Sequence, residues 1–358
     1  MVSKPIEKTK VTTYLSGRRM RIYSLLGLGI ALIVIIGVAT SIGSVHIPLS
    51  TTFSILLDKL PFVDINQTWQ SAIATIVLDI RLPRIILAGL VGAALAIAGA
   101  TYQGLFRNPL ADPYLIGVAQ GASLGAVIGF LLPTAWNLAG FGLIPLLAFI
   151  GALLSTVVVY LLARVGKTLP VTTLILSGVA LSALLGSIVS YLIISSGDKL
   201  HSIIFWLMGS FSMSQWSEVA TALPYIAVGT AVIMIFARLL NVMQLDEEQA
   251  QQLGVNVERF KIILLAAATL ITAASVAFVG TIGFVGIIIP HAVRLIWGAD
   301  HRYLLPLSLL TGAIFMIITD LISRTVLAPT EIPISVITAI CGAPFFLYLL
   351  RRRKKAIF

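Results

Sequence analysis

Residues 83–105 read PRIILAGLVGAALAIAGATYQGL and contain a single charged side chain, that of Arg84. An α-helix rises about 1.5 Å per residue, so it needs about 20 apolar residues to cross the roughly 30 Å hydrocarbon layer of a bilayer. The run also carries Gly89, Gly92 and Gly99. In lipid no hydrophobic force drives helices together, and small residues hold them by letting backbones approach closely. The stretch therefore predicts a packed transmembrane helix.

The composition extends this prediction to the whole chain. Of 358 residues, 58% are apolar and 11% are charged, and the mean hydropathy is +1.04. A soluble domain carries about 25% charged residues. The formal net charge is +10, but the basic residues lie between apolar runs and not along one polar face, so nucleic acid is not an expected partner. Membrane lipid is the expected surroundings.

Ten apolar segments are long enough, or nearly so, to cross a bilayer. They lie approximately at 22–44, 83–105, 113–132, 143–163, 171–195, 219–239, 261–280, 283–297, 303–325 and 334–350. Backbone polar groups in lipid must be bonded within their own helix or by packed neighbours. The prediction is an all-α integral membrane protein, a ten-transmembrane-helix bundle. Residues 1–358 form one membrane-spanning domain, in which the stretch from Val45 to Ile80 is a long outer loop.

Lysine and arginine set the predicted orientation. If the N-terminus is cytoplasmic, nineteen of the 24 basic residues lie inside, including those of the basic leader at 1–21 and of the tail at 351–355. This positive-inside bias places the chain in the cell membrane as a multi-pass protein with both termini cytoplasmic. Because the leader precedes a long apolar run, that run is interpreted as a retained anchor, with a cleaved signal as the alternative.

One inside segment, residues 244–259, is strongly polar and helical in character. Acidic residues suit a helix N-terminus and glycine suits a C-terminal stop. The segment therefore predicts a short amphipathic helix at the cytoplasmic surface, and both a plain loop and a docking element fit it. The acidic start, the apolar contacts and the stop are Asp246, Glu247 and Glu248, then Ala250 and Leu253, then Gly254.

Charged residues near the outer ends of the spans are a second feature. Asp320 and Arg324 are four residues apart and predict an ion pair within one helix. Arg81 and Arg84 flank Leu82-Pro83 on the predicted outer side, against the positive-inside trend. Arginine binds carboxylates with two parallel hydrogen bonds, so an acidic docking partner is the natural interpretation.

The stretch GFVGIIIPHAVR, residues 283–294, is an apolar run that ends on polar residues. Its notable residues are Gly283, Gly286, Pro290, His291 and Arg294. The cations at its end indicate a helix leaving the membrane on the cytoplasmic side, and a metal or proton role for His291 is the alternative. Val165-Gly166-Lys167-Thr168 imitates the end of a phosphate-binding loop, but Leu161 stands where that motif needs glycine. We expect no cofactor on this chain, no metal, and no enzyme activity of its own.

Taken together and in order, several motifs resemble the FecCD-type permease family. These are IRLPR at 80–84, GATYQGLFRNPLADP at 99–113, LIG at 115–117, WLMGS at 206–210, LGVNV at 253–257, GTIGFVG at 280–286, PHAVR at 290–294, DHR at 300–302, EIP at 331–333 and GAP at 342–344. The resemblance implies a type II ABC importer permease for vitamin B12, iron–siderophore or haem. It implies ten helices per subunit and a homodimer. The expected partners are two cytoplasmic ATPase subunits, which hold the ATP and Mg²⁺, and an extracytoplasmic solute-binding protein.

The resemblance also implies site residues. The segment around Gly254 matches the family's coupling helices, which sit in a cleft of the ATPase. Arg81, Arg84 and Arg324 match outer positions that meet acidic residues of the binding protein. Leu169, Pro170, Val171, Thr172 and Thr173 match the inner constriction of the pathway. The alternative function is an ion-coupled secondary transporter, for which Asp320 is the main residue.

Overall fold

The computed structural model describes residues 17–357 except 44, 60–66, 68, 134–136, 139, 140, 246 and 255. The helices are α1 (Arg18–Ser41), α2 (Leu49–Asp58), α3 (Ser71–Thr75), α4 (Leu82–Leu105), α5 (Val118–Leu131), α6 (Leu143–Ala163), α7 (Val171–Ile194) and α8 (Leu200–Leu207). They continue with α9 (Trp216–Ile235), α10 (Ala237–Val242), α11 (Glu247–Gln252), α12 (Val257–Val279), α13 (Val285–Trp297), α14 (His301–Thr325) and α15 (Ile334–Ile357). A π-helical turn covers Ile76–Arg81, 3₁₀ turns cover Pro113–Ile116 and Gly197–Lys199, and a two-stranded ribbon pairs Asn137–Leu138 with Phe141–Gly142.

The long helices coincide with most of the predicted spans. Within the described part of the chain, seven helices are long and apolar enough to cross a membrane. The predicted third, eighth and tenth spans correspond to the shorter apolar helices Val118–Leu131, Val285–Trp297 and Ile334–Tyr348. The all-α membrane fold is confirmed, whereas the count of ten spans stays a prediction.

The prediction of a long loop from Val45 to Ile80 is wrong. Its described residues include α2 and a helix that starts at Ser71 and runs without a break into α4 as far as Leu105. Pro83 indicated a helix start because proline has no N–H and clashes within a regular helix. The π-helical turn before it accommodates the proline, since Leu82 N–H donates to Val77 O, five residues back.

Helix α4 lies at the centre of the bundle, and nearly all of its residues are buried. Its glycines give the close approaches that the sequence predicts. A Cβ on Gly92 would overlap the backbone of Gly312, and one on Gly99 would overlap the carbonyl of Gly286. Gly283, which precedes α13, makes no such close approach, because a Cβ there would have no neighbour within 4 Å. Helix α4 therefore fixes the positions of α13 and α14, which carry the PHAVR motif and Arg324.

Candidate docking, coupling and gate sites

A buried ionic cluster lies at the predicted outer end of α4. Arg84 Nη1 and Nη2 donate to Glu331 Oε1 and Oε2 at 2.6 and 2.9 Å. Its Nε donates to Asp320 Oδ1 at 2.9 Å, and Nη2 lies 2.8 Å from the same oxygen. The side chain of Asp320 has no exposed surface, whereas that of Glu331 is 25% exposed. Arg84 is thus a bridge between α14 and the loop that precedes α15.

The other two predicted docking arginines bind the C-terminal end of α1. Arg81 Nη1 donates to Thr40 O and Ser41 O at 2.9 and 2.8 Å. Arg324 Nη1 donates to Ile42 O at 2.8 Å, and its Nε lies 3.4 Å from Asp320 Oδ2, which confirms the predicted ion pair. The last carbonyls of a helix have no partners within it and carry partial negative charge, so two cations stabilise this end.

Glu331 is the member of the cluster that the sequence did not single out as a partner. The EIP motif at 331–333 was the only signal, because 247 residues separate Glu331 from Arg84. Arg81 and Arg84 are 5% and 9% exposed. Their docking role therefore stays a prediction.

The predicted coupling segment folds as the short helix α11, which covers Glu247–Gln252. Ala250 is fully buried, whereas Leu253 is 65% exposed. Gly254 ends the helix with a φ of +81°, in the left-handed region that favours glycine, and its N–H donates to Gln251 O. Asp246 and the side chains of Glu247 and Glu248 lie outside the described residues. The buried Ala250 thus holds the segment against the bundle, while the side chain of Leu253 remains exposed.

The predicted gate lies where the loop after α6 meets the start of α12. Leu169 is buried, and its N–H donates to Glu258 Oε2 at 2.9 Å while its carbonyl accepts from Lys261 Nζ at 3.2 Å. Lys261 Nζ also lies 3.2 Å from Glu258 Oε1. Lys261, which begins the predicted seventh span, is only 5% exposed. This pair of charges holds the backbone of Leu169 in place.

The remaining gate residues begin α7. Pro170 precedes the first turn, Val171 is its first residue, and Thr173 Oγ1 donates to Ala163 O at 2.8 Å. Thr172 is exposed. The four residues Val165–Thr168 form a tight turn closed by two backbone hydrogen bonds, with Gly166 at a φ of +60°. Of the five predicted gate residues, Thr172 is the one that is exposed, and their role as a gate stays a prediction.

A cavity of about 400 Å³ lies deeper, between the 3₁₀ turn at Pro113–Ile116, α7 and α13. Asp112, Ser182 and Phe284 are among its lining residues. Asp112 Oδ1 accepts from Tyr114 N–H at 2.7 Å. Burial raises the pKa of Asp112 to about 6, and the hydrogen bond from Tyr114 opposes this shift. The sequence gave no role to Asp112 beyond its place in the motif at 99–113.

Comparison with known proteins decides the family. A profile of the FecCD transport family matches residues 31–352. The chain belongs to the FecCD transport family. The FecCD relatives include an uncharacterized ABC transporter permease protein of Bacillus subtilis, 45% identical over 327 residues, which are 91% of this chain and 92% of the relative. The cobalamin import system permease protein of Halobacterium salinarum is 49% identical over 290 residues, 81% of this chain and 76% of the relative.

Two further similarities support the same family. The hemin transport system permease protein of Yersinia pestis is 40% identical over 299 residues, 81% of this chain and 87% of the relative. A solved structure described as an inward-facing conformation of a metal-chelate type ABC transporter matches with a TM-score of 0.78 and 32% identity, over 92% of this chain and 98% of that one. This FecCD protein is therefore a multi-pass membrane permease subunit of an ABC importer, and ATP hydrolysis belongs to a separate subunit.

Within this FecCD permease, the PHAVR motif lies at a helix crossing. Pro290 has no N–H, so the carbonyl of Gly286 lacks its helical partner. Gln103 Nε2 of α4 lies 3.4 Å from that carbonyl and donates to Ile287 O at 3.1 Å. His291 is buried, with its ring 6.1 Å from that of Phe345, and Arg294 is partly buried near the end of α13. The motif thus fixes α13 against α4 and α15, and no group of three or more metal-ligand residues occurs among the described residues.

Proposed function

We propose that this permease forms a homodimer that passes a metal chelate from an extracytoplasmic binding protein into the cytoplasm. The substrate class is a corrinoid, an iron–siderophore complex or haem. Two cytoplasmic ATPase subunits bind ATP and Mg²⁺ and drive the transport. The proposal takes its substrate class from the relatives, which are named for cobalamin, hemin and Fe(3+) dicitrate.

The exposed Leu253 beside the buried Ala250 is the observation that supports ATPase coupling most directly. Leucine in a polar cytoplasmic segment gains free energy only when another surface covers it. The positive φ of Gly254 turns the chain sharply after α11, so Leu253 projects at the end of the helix. A cleft on the ATPase is the surface that we propose for it.

Leu253→Glu tests this coupling without disturbing the packed side of α11. Gln251→Glu is the matched control, because Gln251 is also exposed and the added charge is the same. We expect Leu253→Glu to abolish co-purification of the ATPase and ATP-driven uptake, while the control retains both. Normal co-purification and uptake by Leu253→Glu would refute the proposed coupling surface.

The second copy is proposed to pack on α7. Among the α7 residues, only Leu174, Gly178 and Val189 are buried. Its outer surface carries the hydroxyls of Ser187 and Ser190, which donate to their own helix. Small and hydroxyl side chains favour close helix–helix contacts in lipid, and exposed apolar side chains of the same helix, such as Leu184 and Tyr191, add area that a second copy could cover. Ser190→Cys in a Cys341→Ser background should form an intersubunit disulfide, and its absence under oxidation would contradict this interface.

This interface places the gate at Leu169–Thr173 next to the axis between the two copies. Thr172 then faces the pathway, and the ion pair of Glu258 with Lys261 supports the gate from behind. Thr172→Trp should block uptake while ATPase co-purification stays normal. Unchanged uptake would indicate that the constriction of the pathway lies at other residues.

Both termini and α11 are proposed to face the cytoplasm. Single cysteines in a Cys341→Ser background test this orientation, one at Gln251 in α11 and one at Met213, which is 84% exposed in the loop before α9. In intact cells a membrane-impermeant maleimide should label the cysteine at 213 and not the one at 251. The reverse labelling would invert the proposed topology.

Uptake by the reconstituted complex identifies the cargo. Labelled cobalamin, hemin and ferric citrate are compared at equal concentration, each with the binding protein present. The proposal expects ATP-dependent accumulation of one of the three. Uptake that instead follows an ion gradient without ATP would favour the secondary transporter, for which the paired Asp320 offers no free carboxylate among its described contacts.

A further inference from the structure

Helices α6, α9 and α12 enclose a groove of about 660 Å³ on the surface of the bundle. Its lining is apolar and includes Leu153, Val157, Val228, Ile262 and Ala266. The hydroxyls of the two threonines in its walls have partners within the bundle. Thr156 Oγ1 donates to Ala152 O at 3.1 Å, and Thr269 Oγ1 lies 3.1 Å from Tyr102 Oη. Water would find few partners there, so the groove suits an apolar occupant.

The groove lies in one half of the membrane. Its lining comes from residues 153–160 of α6, 228–232 of α9 and 262–270 of α12. These are the later parts of α6 and α9 and the earlier part of α12, which is the cytoplasmic side in the proposed orientation. The stretch of α12 spans about 12 Å, close to the roughly 15 Å depth of one leaflet. The groove thus has the length of a lipid tail within the inner leaflet.

An exposed arginine lies at or just beyond this same end of each of the three helices. Arg164 follows α6, Arg238 lies in α10 just after α9, and Arg259 lies in the first turn of α12. The Phe236 and Phe260 rings are 5.2 Å apart, which brings the ends of α9 and α12 together. The hydrogen bond between Leu169 and Glu258 joins the loop after α6 to the start of α12. The three arginines therefore lie at the same end of the helices that form the groove.

Nothing in the described part of the chain neutralises these three arginines. None of them forms an ion pair there, and the one side-chain contact is from Arg164 Nε to Gly166 O at 3.0 Å. The positive-inside bias accounts for arginines on this side of the membrane. It does not account for three exposed arginines at the same end of one apolar groove.

We propose that the groove and its three arginines bind one anionic phospholipid of the cytoplasmic leaflet. An acyl chain fills the space between α6, α9 and α12, and the phosphate lies among Arg164, Arg238 and Arg259. Guanidinium groups bind phosphate with two parallel hydrogen bonds, and basic pockets between helices on the cytoplasmic side suit acidic headgroups. The site rests on the proposed orientation and is independent of the transported substrate.

Native mass spectrometry of the full-length permease tests the site, with phosphatidylglycerol and phosphatidylcholine offered in equal amounts. The wild type should retain one phosphatidylglycerol in preference to phosphatidylcholine. Ala266→Phe fills the groove and should reduce retention of both lipids at least threefold. Ala227→Phe is the control, because Ala227 is exposed on α9 but does not line the groove.

The headgroup is tested by replacing Arg164, Arg238 and Arg259 with glutamine together. Each arginine near an anionic headgroup contributes about fivefold in affinity, so the preference for phosphatidylglycerol should fall at least tenfold. Replacing Arg351, Arg352 and Arg353 with glutamine removes the same charge from the same predicted side and should leave the preference intact.

Three outcomes would overturn the proposal. The first is equal retention of the two lipids by the wild type. The second is unchanged retention by Ala266→Phe. The third is an arginine variant that keeps its lipid preference but loses its ATPase, which would assign the three arginines to a protein contact.

Discussion

Asp320→Asn is the sharpest test of the outer cluster. The carboxylate has no exposed surface, and it lies 2.8 Å from Arg84 Nη2 and 3.4 Å from Arg324 Nε. Asparagine keeps the shape of the side chain but removes the charge and turns an N–H₂ group toward one of the guanidinium groups. Removing one partner of a buried ion pair costs about 3–5 kcal/mol, because the remaining charge stays buried without compensation.

Glu331 still holds Arg84 on its other side, so the cost should lie near the lower end, about 3 kcal/mol. In a chain of this length we expect the thermal midpoint in detergent to fall by at least about 4 °C. Asp198→Asn is the control, because Asp198 is exposed on the same predicted side of the membrane, where a lost charge changes stability by about 0–1 kcal/mol. Equal midpoints for the two variants would refute the electrostatic argument for the cluster.

Three further predictions concern helix packing, the buried Asp112 and docking at the outer cluster. Gly99→Leu should prevent folding, because its side chain would overlap the carbonyl of Gly286. The yield of monodisperse protein measures this. Gly27→Leu is the control and should give a normal yield, because a Cβ at Gly27 meets nothing within 4 Å. Asp112→Asn should raise the thermal midpoint at pH 7, since folding raises the pKa of the carboxyl to about 6 and so favours its neutral form. The wild type should regain stability as the pH falls through 6. A difference in thermal midpoint between variant and wild type that stays constant from pH 8 to 5 would therefore contradict the raised pKa of Asp112. If Arg84 receives a carboxylate of the binding protein, Glu331→Gln should raise the affinity of docking about twofold to tenfold at low salt and less at high salt. A binding titration in which the affinity shows no salt-dependent increase would count against that role.

The sequence predicted what depends on local composition. Apolar length alone located the seven long helices, because a membrane span is a property of one continuous segment. The spacing of Asp320 and Arg324 predicted their ion pair for the same reason. The helices in residues 45–80 were missed because Asp58, Asp79 and Pro83 interrupt the apolar pattern, and only the π-helical turn shows how Pro83 is accommodated.

Contacts between segments that are distant along the chain could not be predicted from the sequence. No spacing rule relates Arg84 to Glu331, or Lys261 to the carbonyl of Leu169, since these contacts exist only after α4, α12 and α14 have packed. The same holds for the lipid groove, which no single helix forms. The positive-inside pattern of the sequence predicts Arg164, Arg238 and Arg259 on the cytoplasmic side. The proximity of the helix ends beside them follows from the Leu169–Glu258 and Phe236–Phe260 contacts.

The charge balance of the outer cluster reconciles a structural role for its arginines with a docking role. Within the described part of the chain, the carboxylates that face Arg81, Arg84 and Arg324 are those of Asp320 and Glu331. The carbonyls at the end of α1 supply the rest of the negative potential, and Arg81 and Arg324 bind them directly. One cation thus remains without a full negative charge, beside the partly exposed Glu331. A carboxylate from a binding protein would complete this balance with Glu331 in place, so docking and the buried ion pairs can coexist on the same three arginines.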